Sequence, residues 1–161
     1  MAIWIGIDTG IHGAIATLDD AAQRVRTCPV PVSKRRVGAT MRDRVDVDAL
    51  LLLARALAAL GPIRAAIEAP TPRLRQGQSS ALVSGTVYGL LIASFTAAGV
   101  VVESVHPATW KGRSLKGGKS VSVSKANDLF PLDKAQWERA TKHDHAEAAL
   151  IAHWISKRGR K

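Results

Sequence analysis

The chain opens with AIWIGIDTG at residues 2–10, a short apolar run that ends in a carboxylate, Asp8, and a Thr-Gly turn. A run of this length bounded by turn residues is typical of a buried strand. A second apolar run at residues 13–18 follows so closely that a hairpin is the expected connection. Residues 24–32 predict a third strand, limited at its end by two prolines. The first part of the chain therefore predicts an antiparallel meander.

Helices and strands alternate in the remainder of the chain. The patterns first predict a helix over 45–60 capped by Asp46, a strand over 63–68, and a core helix and a strand within 79–102. They then predict a short helix from 106, a helix from Ser122 or Ser124 to 129, and a final helix over 142–157. Such βαβ crossovers favour parallel pairing with right-handed connections. We therefore expect one α/β domain over residues 1–157, with a mixed five-stranded sheet covered by helices on both faces, followed by a basic tail at 158–161.

Residues 79–102 carry no charged side chain, so a membrane span has to be weighed. Gly85 and Gly89 even stand at the small-residue spacing that favours helix packing in membranes. Six Ser and Thr side chains and a predicted helix break at Gly99 argue against a membrane span. A core helix that leads into a strand is the favoured interpretation, and no membrane association is expected.

The 161 residues include 23 Lys and Arg against 13 Asp and Glu, a net charge of +10. Such a charge predicts affinity for polyanions, of which nucleic acid is the commonest in a cytoplasm. The cations concentrate in runs at 33–44, 111–125 and 157–161, and three such runs favour phosphate contacts over merely solvated loops. The single cysteine, Cys28, excludes an intrachain disulfide and fits a reducing compartment. No secretory signal pattern opens the chain, so a cytoplasmic location is expected.

Four carboxylates stand where core residues would be expected. Asp8 and Glu68 each end an apolar strand, and Asp144 and Glu147 share one face of the last helix through their i, i+3 spacing. If the first and fourth strands are neighbours, the four acids meet at the edge of the sheet where α/β folds bind ligands. Clustered carboxylates repel unless cations lie between them, and hard oxygen ligands suit Mg²⁺ or Mn²⁺. The local alternatives are a turn cap for Asp8, an arginine pair for Glu68 and a helix N-cap for Asp144.

Four motifs follow one another in an order and spacing that resemble RuvC-type Holliday junction resolvases. They are GIDTG at 6–10, AIE at 66–68, HPATWK at 106–111 and DHAEAAL at 144–150. The Asp-x-x-Glu spacing in the last motif is most similar to the phage and prophage branch. The resemblance covers nearly the whole chain and implies a ribonuclease H-like fold and a homodimer. It also implies paired symmetric nicks in a four-way DNA junction, an activity of recombination and repair.

The resemblance further implies which residues act. Asp8, Glu68, Asp144 and Glu147 would hold two metal ions, with Mg²⁺ as the expected cofactor and Mn²⁺ as a substitute. Lys111 and Lys125 would act beside the scissile phosphate. The residues expected to contact nucleic acid are Arg73, Arg75, Lys111, Arg113, Lys116, Lys119 and Lys125.

Two features leave roles open. Many of these enzymes place an aromatic side chain just after the second acid, but APTP at 69–72 follows here, so no aromatic wedge is expected. His143 either orients a ligand beside the acids or is an exposed first-turn histidine. Trp110 and Trp137 are expected to pack in the core and not to stack on bases.

Other functions share parts of this pattern. A ribonuclease H, or a broad flap and branch nuclease, would use the same fold and acids on other substrates. A non-catalytic nucleic-acid-binding protein would use the basic runs alone. An actin-like phosphotransferase also opens with a strand and Asp-x-Gly, but it needs more than twice this length.

Overall fold

The structure is a computed structural model that describes residues 3–21, 23–61, 63–71, 77–112, 115, 118–138 and 142–159. The strands in these ranges are β1 (Ile3–Asp8), β2 (Ala14–Asp19), β3 (Arg24–Pro29), β4 (Val32–Val37), β5 (Thr40–Val45), β6 (Ile63–Glu68) and β7 (Val101–Val105). The helices are α1 (Val47–Ala58), α2 (Gln78–Ala97), α3 (Pro107–Lys111), α4 (Lys119–Leu129) and α5 (His143–Arg158), with a 3-10 turn at Lys134–Gln136.

The main sheet has five strands in the order β3-β2-β1-β6-β7. The pairs β1–β2 and β2–β3 are antiparallel, whereas β1–β6 and β6–β7 are parallel. The predicted mixed five-stranded sheet is confirmed. Because β1 and β6 are parallel neighbours in register, their terminal residues Asp8 and Glu68 lie at the same edge of the sheet.

Helix α5 lies directly on one face of β1. A Cβ on Gly6 would overlap backbone atoms of Ala148 and Ala152, so only a glycine permits this approach. The facing side chains of α5 are small, and Ala148, Ala149 and Ala152 are fully buried. This close packing of small residues brings the side chains of the first α5 turns next to the end of β1.

The opposite face of the sheet is covered by α1 and α2. Asp46 caps α1 as predicted, accepting a hydrogen bond from the Ala49 amide, and Leu50 faces the core. In the C-terminal half of α2, Leu91 and Phe95 are buried against the core. Its N-terminal half is exposed, and 73% of the surface of Leu82 is accessible to solvent. The predicted core helix is therefore only half buried. A 20-residue helix is about 30 Å long, whereas a six-residue strand is about 20 Å long. Helix α2 is therefore longer than the sheet on which it packs, and part of it extends beyond the sheet.

Helix α2 is also long and apolar enough to cross a membrane by length and composition, with a mean hydropathy of 1.5 over its most apolar window. Within that window 22% of the residues are buried. These are the residues that pack on the sheet and on α1.

Two other elements differ from their predicted form. The basic run at 33–44 is a two-stranded hairpin of β4 and β5, which pair only with each other among the described strands. Its strands carry polar residues on both faces, so they lack the apolar period that marks a half-buried strand. Helix α4 begins at Lys119 after Gly118, so Ser122 and Ser124 lie inside the helix and do not cap it.

Candidate active site

Three carboxylates converge at the carboxyl edge of the sheet. Asp8 ends β1, Glu68 ends β6 and Glu147 lies in the second turn of α5. One carboxylate oxygen from each lies within 4.8 Å of the others. Asp8 and Glu147 are less than a tenth exposed. Segments far apart in the sequence thus place three acids around one point.

These acids lie in a cleft of about 540 Å³. Its other lining residues include the β1–β2 turn at 9–13 together with Lys111, Ser122 and Asp144. Asp144 lies on the cleft wall one turn before Glu147, outside the group of three, and its Oδ1 is 2.6 Å from Nε2 of His143. All four predicted metal ligands therefore face one cleft, and three of them form its centre.

The centre of the cleft carries more negative charge than its protein neighbours neutralise. Burial raises the pKa of Asp8 well above its ordinary value, and the carboxylates of Glu147, Glu68 and Asp144 raise it further, against the opposing effect of Lys111. Burial also raises the pKa of Glu68, although Lys111 and a hydrogen bond oppose the shift. A buried carboxylate surrounded by other carboxylates favours a bound proton or a bound cation.

Side chains from α3 and α4 fix the orientation of two of these acids. The indole Nε1 of Trp110 donates a hydrogen bond to Glu68 Oε2 at 2.6 Å. The hydroxyl of Ser122 donates to Glu147 Oε1 at 2.9 Å. Lys111 Nζ lies between both acids, 3.1 Å from Glu147 Oε1 and 3.9 Å from Glu68 Oε2.

Two partners of the acids, Trp110 and Ser122, are not among the site residues predicted from the sequence. Trp110 packs in the core as predicted, at 6% exposed, but a buried indole N–H also needs an acceptor, and Glu68 supplies it. That requirement, together with its position beside Lys111 in the HPATWK motif, is the signal that points to Trp110. Ser122 gives no such signal, because its partner lies 25 residues away in another helix. His143 contacts Asp144, which agrees with the orienting alternative.

The remaining predicted basic residues are placed differently. Lys125 lies one turn beyond Ser122 on α4 and faces a neighbouring groove with Trp154 and Lys157. It is not among the residues that line the acidic cleft, and its expected action near the scissile phosphate and backbone stays a prediction. Arg73, Arg75, Arg113 and Lys116 lie outside the described residues, as does the side chain of Lys119.

The donor set fits a hard divalent cation. Asp8, Glu68 and Glu147 offer only carboxylate oxygens, the ligands that Mg²⁺ and Mn²⁺ prefer. The charge imbalance around Asp8 is independent support, since a cation at this point would stabilise the ionised form of each acid. The residues of the cleft are therefore suited to divalent metal binding.

Three solved structures share this architecture over nearly the whole chain. Thermus thermophilus RuvC is 16% identical with a TM-score of 0.58, covering 98% of this chain and 96% of its own. T. thermophilus RuvC in complex with Holliday junction substrate is 18% identical with a TM-score of 0.59, covering 99% and 97%. The yeast mitochondrial Holliday junction resolvase is 16% identical with a TM-score of 0.56, covering 99% and 81%.

Comparisons with protein-family models and with curated protein sequences give no match. The similarity therefore lies in the arrangement of strands and helices, which persists where sequence identity is low. This chain has the ribonuclease H-like fold of the RuvC-type Holliday junction resolvases.

Proposed function

We propose that this chain is a metal-dependent endonuclease that resolves branched DNA, with the four-way junction as its substrate. One observation carries the proposal: carboxylates from β1, β6 and α5 converge within 4.8 Å at the edge of a RuvC-like sheet. The fold alone does not specify a function, whereas a site with this chemistry does. The T. thermophilus relative that binds a Holliday junction substrate supports the choice of DNA.

We assign Asp8, Glu68 and Glu147 as metal ligands and place Asp144 beside them. Two Mg²⁺ ions bound there, or Mn²⁺ in their place, would lower the pKa of a bound water and offset charge on the attacking and leaving oxygens. The protein's own contribution is to hold the carboxylates in place. Trp110 fixes Glu68, Ser122 fixes Glu147 and His143 contacts Asp144.

Besides its contacts with Glu68 and Glu147, Lys111 has a second role in this proposal. Its side chain is 28% exposed and its ammonium lies against two of the acids, so it is held at the mouth of the cleft. A cation in that position can contact a phosphate that enters the cleft and can offset the charge that develops in the transition state. Lys125, in the neighbouring groove, is proposed as the second basic residue that would act near the scissile phosphate and backbone.

We propose that a second copy of the chain packs on the exposed face of α2. This helix carries no charged side chain, Leu82 is exposed, and the space above Gly85 and Gly89 is open. A homodimer would supply one cleft for each of two opposing DNA strands. In analytical ultracentrifugation Leu82→Arg should sediment as a monomer. The matched variant Leu52→Arg, on an exposed position of α1, should sediment as the wild-type dimer.

The test of the function is a synthetic four-way DNA junction labelled on each strand and incubated with and without Mg²⁺. Linear duplex, flap and RNA–DNA hybrid of equal length complete the panel. We expect cuts at symmetric positions on two opposing strands, only with Mg²⁺ or Mn²⁺. Cutting confined to the hybrid would favour a ribonuclease H, cutting of every branched substrate a broad branch nuclease, and binding without cutting a non-catalytic protein.

A cytoplasmic location belongs to the same proposal, because both the DNA and the single free thiol of Cys28 fit a reducing compartment. We also propose one domain over residues 1–157 followed by a basic tail at 158–161, of which Arg158 is the last residue of α5.

A further inference from the structure

The hairpin of β4 and β5 has no role in the acidic cleft, yet its residues 33–44 carry five cations against one acid. The register pairs Ser33 with Arg44 and Arg35 with Arg42. Paired residues of an antiparallel ladder point to the same face, and positions two apart share it. Arg35, Arg42 and Arg44 therefore form one face of the hairpin, which we call the arginine face.

The arginine face has no acidic partner among the described residues. The acid of the hairpin, Asp43, points to the other face and forms an ion pair with Lys34 at 2.9 Å. Within the described part of the chain no carboxylate lies within ion-pairing distance of the three arginines. Arg35 and Arg42 lie directly opposite each other, an arrangement that is unfavourable for like charges. A bound polyanion would remove that repulsion.

The base of the hairpin is fixed beside the acidic cleft. The Val30 amide donates to the Gly13 carbonyl at 2.9 Å, and the Asp46 amide donates to the Pro31 carbonyl at 2.9 Å. Gly13 belongs to the turn that lines the cleft. The hydrogen bond and the charge of Lys34 lower the pKa of Asp43, and His12, in the same turn, lowers it further.

From this base the hairpin extends outward. Six residues per strand give it a length of roughly 20 Å. It carries no aromatic side chain on which an unpaired base could stack, which disfavours a single-stranded ligand. A two-stranded ribbon whose arginines have no carboxylate partner among the described residues instead suits the phosphates of a duplex, whose major groove admits such a ribbon.

We propose that the arginine face binds the phosphate backbone of a duplex DNA arm, outside the acidic cleft, so that the arm next to the cut is held by Arg35, Arg42 and Arg44. The choice of a junction arm rests on the proposed function. The binding of duplex DNA does not, because it follows from the hairpin's own charge and shape.

The experiment compares two triple variants with equal net charge. The hairpin variant carries Arg35→Gln, Arg42→Gln and Arg44→Gln. The control carries Arg26→Gln, Arg55→Gln and Arg64→Gln, three exposed positions on β3, α1 and β6 away from the hairpin. Binding to a four-way junction and to a linear duplex is measured in EDTA at several salt concentrations, so that metal-dependent cutting does not interfere.

The hairpin variant should bind the junction at least ten-fold more weakly than wild type at about 100 mM salt. Its slope of log affinity against log salt should fall by about 2 to 3, since each lost phosphate contact removes about 0.9. The control should change less than three-fold. Hydroxyl-radical protection should disappear from one duplex arm for each bound protomer and persist at the junction centre. Equal losses in the two variants would overturn the inference.

Two additional measurements distinguish a lost DNA contact from a loss of folding and from a preference for another polyanion. If the hairpin variant melts below wild type, Arg35→Gln and Arg42→Gln are tested singly, and each should lower the slope by about one. Tighter hairpin-dependent binding to double-stranded RNA or to phosphatidylserine vesicles than to DNA would overturn the DNA assignment.

The same data separate the hairpin inference from the proposed function. A wild type that cuts no branched DNA but shows hairpin-dependent duplex binding would defeat the proposed function alone. Junction cutting with equal binding by both triple variants would defeat the hairpin inference alone.

Discussion

The acidic cleft and the basic hairpin both crowd charges of one sign, but the fold holds them in opposite ways. Asp8, Glu68 and Glu147 come from three segments locked into a packed core. The arginine face comes from two adjacent strands that pair only with each other among the described strands. Its side chains are exposed or half-exposed, whereas two of the three acids are buried.

This difference decides how each region relieves its repulsion. Carboxylates fixed by core packing cannot separate, so they favour a bound proton or a bound cation, and the pKa of Asp8 rises accordingly. Arginines on an exposed ribbon can turn away from one another in water and stay charged. This difference suits the cleft to the proposed chemistry on a fixed centre, and the hairpin to the proposed contact with a long polyanion.

The largest effect expected of this contrast is the loss of cleavage in Asp8→Asn. Cleavage of the junction should fall at least about 10³-fold, because even the partners of metal ligands are worth about 10–100-fold. Junction binding should persist or tighten, since one carboxylate no longer repels phosphate. Single-turnover cleavage and filter binding measure the two. The control Asp48→Asn, in the first turn of α1, should behave as wild type. Normal cleavage by Asp8→Asn would show that the acidic cleft is not the site of DNA cleavage.

A second test addresses the rigidity of the cleft. Gly6→Ala forces a methyl group into the backbone of α5 and should lower the free energy of unfolding by roughly 2 kcal/mol or more. Gly77→Ala, at the N-cap of α2 where an added Cβ meets nothing within 4 Å, should lower it by at most about 1 kcal/mol, because alanine is a poorer N-cap than glycine. Urea denaturation compares the two. Similar values for both variants would mean that α5 does not lie directly on β1.

A third test separates orientation of an acid from core packing with two matched substitutions. Trp110→Phe removes the hydrogen bond to Glu68, and Trp137→Phe removes one to Asn127 at 2.9 Å, away from the acids. Trp110→Phe should slow cleavage roughly ten-fold and raise the Mg²⁺ concentration that gives half-maximal rate. Trp137→Phe should lower thermal stability and leave that concentration unchanged. An equal Mg²⁺ requirement in both variants would make Trp110 a packing residue only.

The smallest effect is a pH dependence of stability in EDTA. Because the pKa of Asp8 is raised above 3.8 in the folded state, the folded protein binds this proton more tightly than the unfolded chain does. The stability from this proton is present at and below about pH 4 and is lost as the pH rises through the folded-state value.

Asp8→Asn should therefore melt higher than wild type at pH 7, by about 2 °C or more, and the two should converge near pH 4. Added Mg²⁺ should raise the melting temperature of wild type more than that of the variant. Differential scanning calorimetry in EDTA and in Mg²⁺ measures both. A difference between the proteins that is constant with pH would show that Asp8 keeps an ordinary pKa.

Much of the fold could be predicted because its signals are local. Apolar runs ending in turn residues mark β1 and β6, and Asp46 marks the start of α1. The closeness of Asp8 and Glu68 was predictable because each ends a buried strand, and parallel neighbouring strands bring their carboxyl ends to one edge of the sheet. The hairpin was not predictable, because its strands are polar on both faces and show no apolar period. The placement in the phage and prophage branch stays a prediction.

Residue type and spacing were enough to establish where carboxylates end strands, that Asp144 and Glu147 share one face of the last helix, and where positive charge collects. These properties depend only on residues a few positions apart along the chain. The folded arrangement alone brings Trp110 to Glu68 across 42 residues and Ser122 to Glu147 across 25, and separates Lys125 from Lys111 into a different groove. Contacts at such separations depend on how helices pack on the sheet, because packing and not local spacing sets the distance between side chains of different elements.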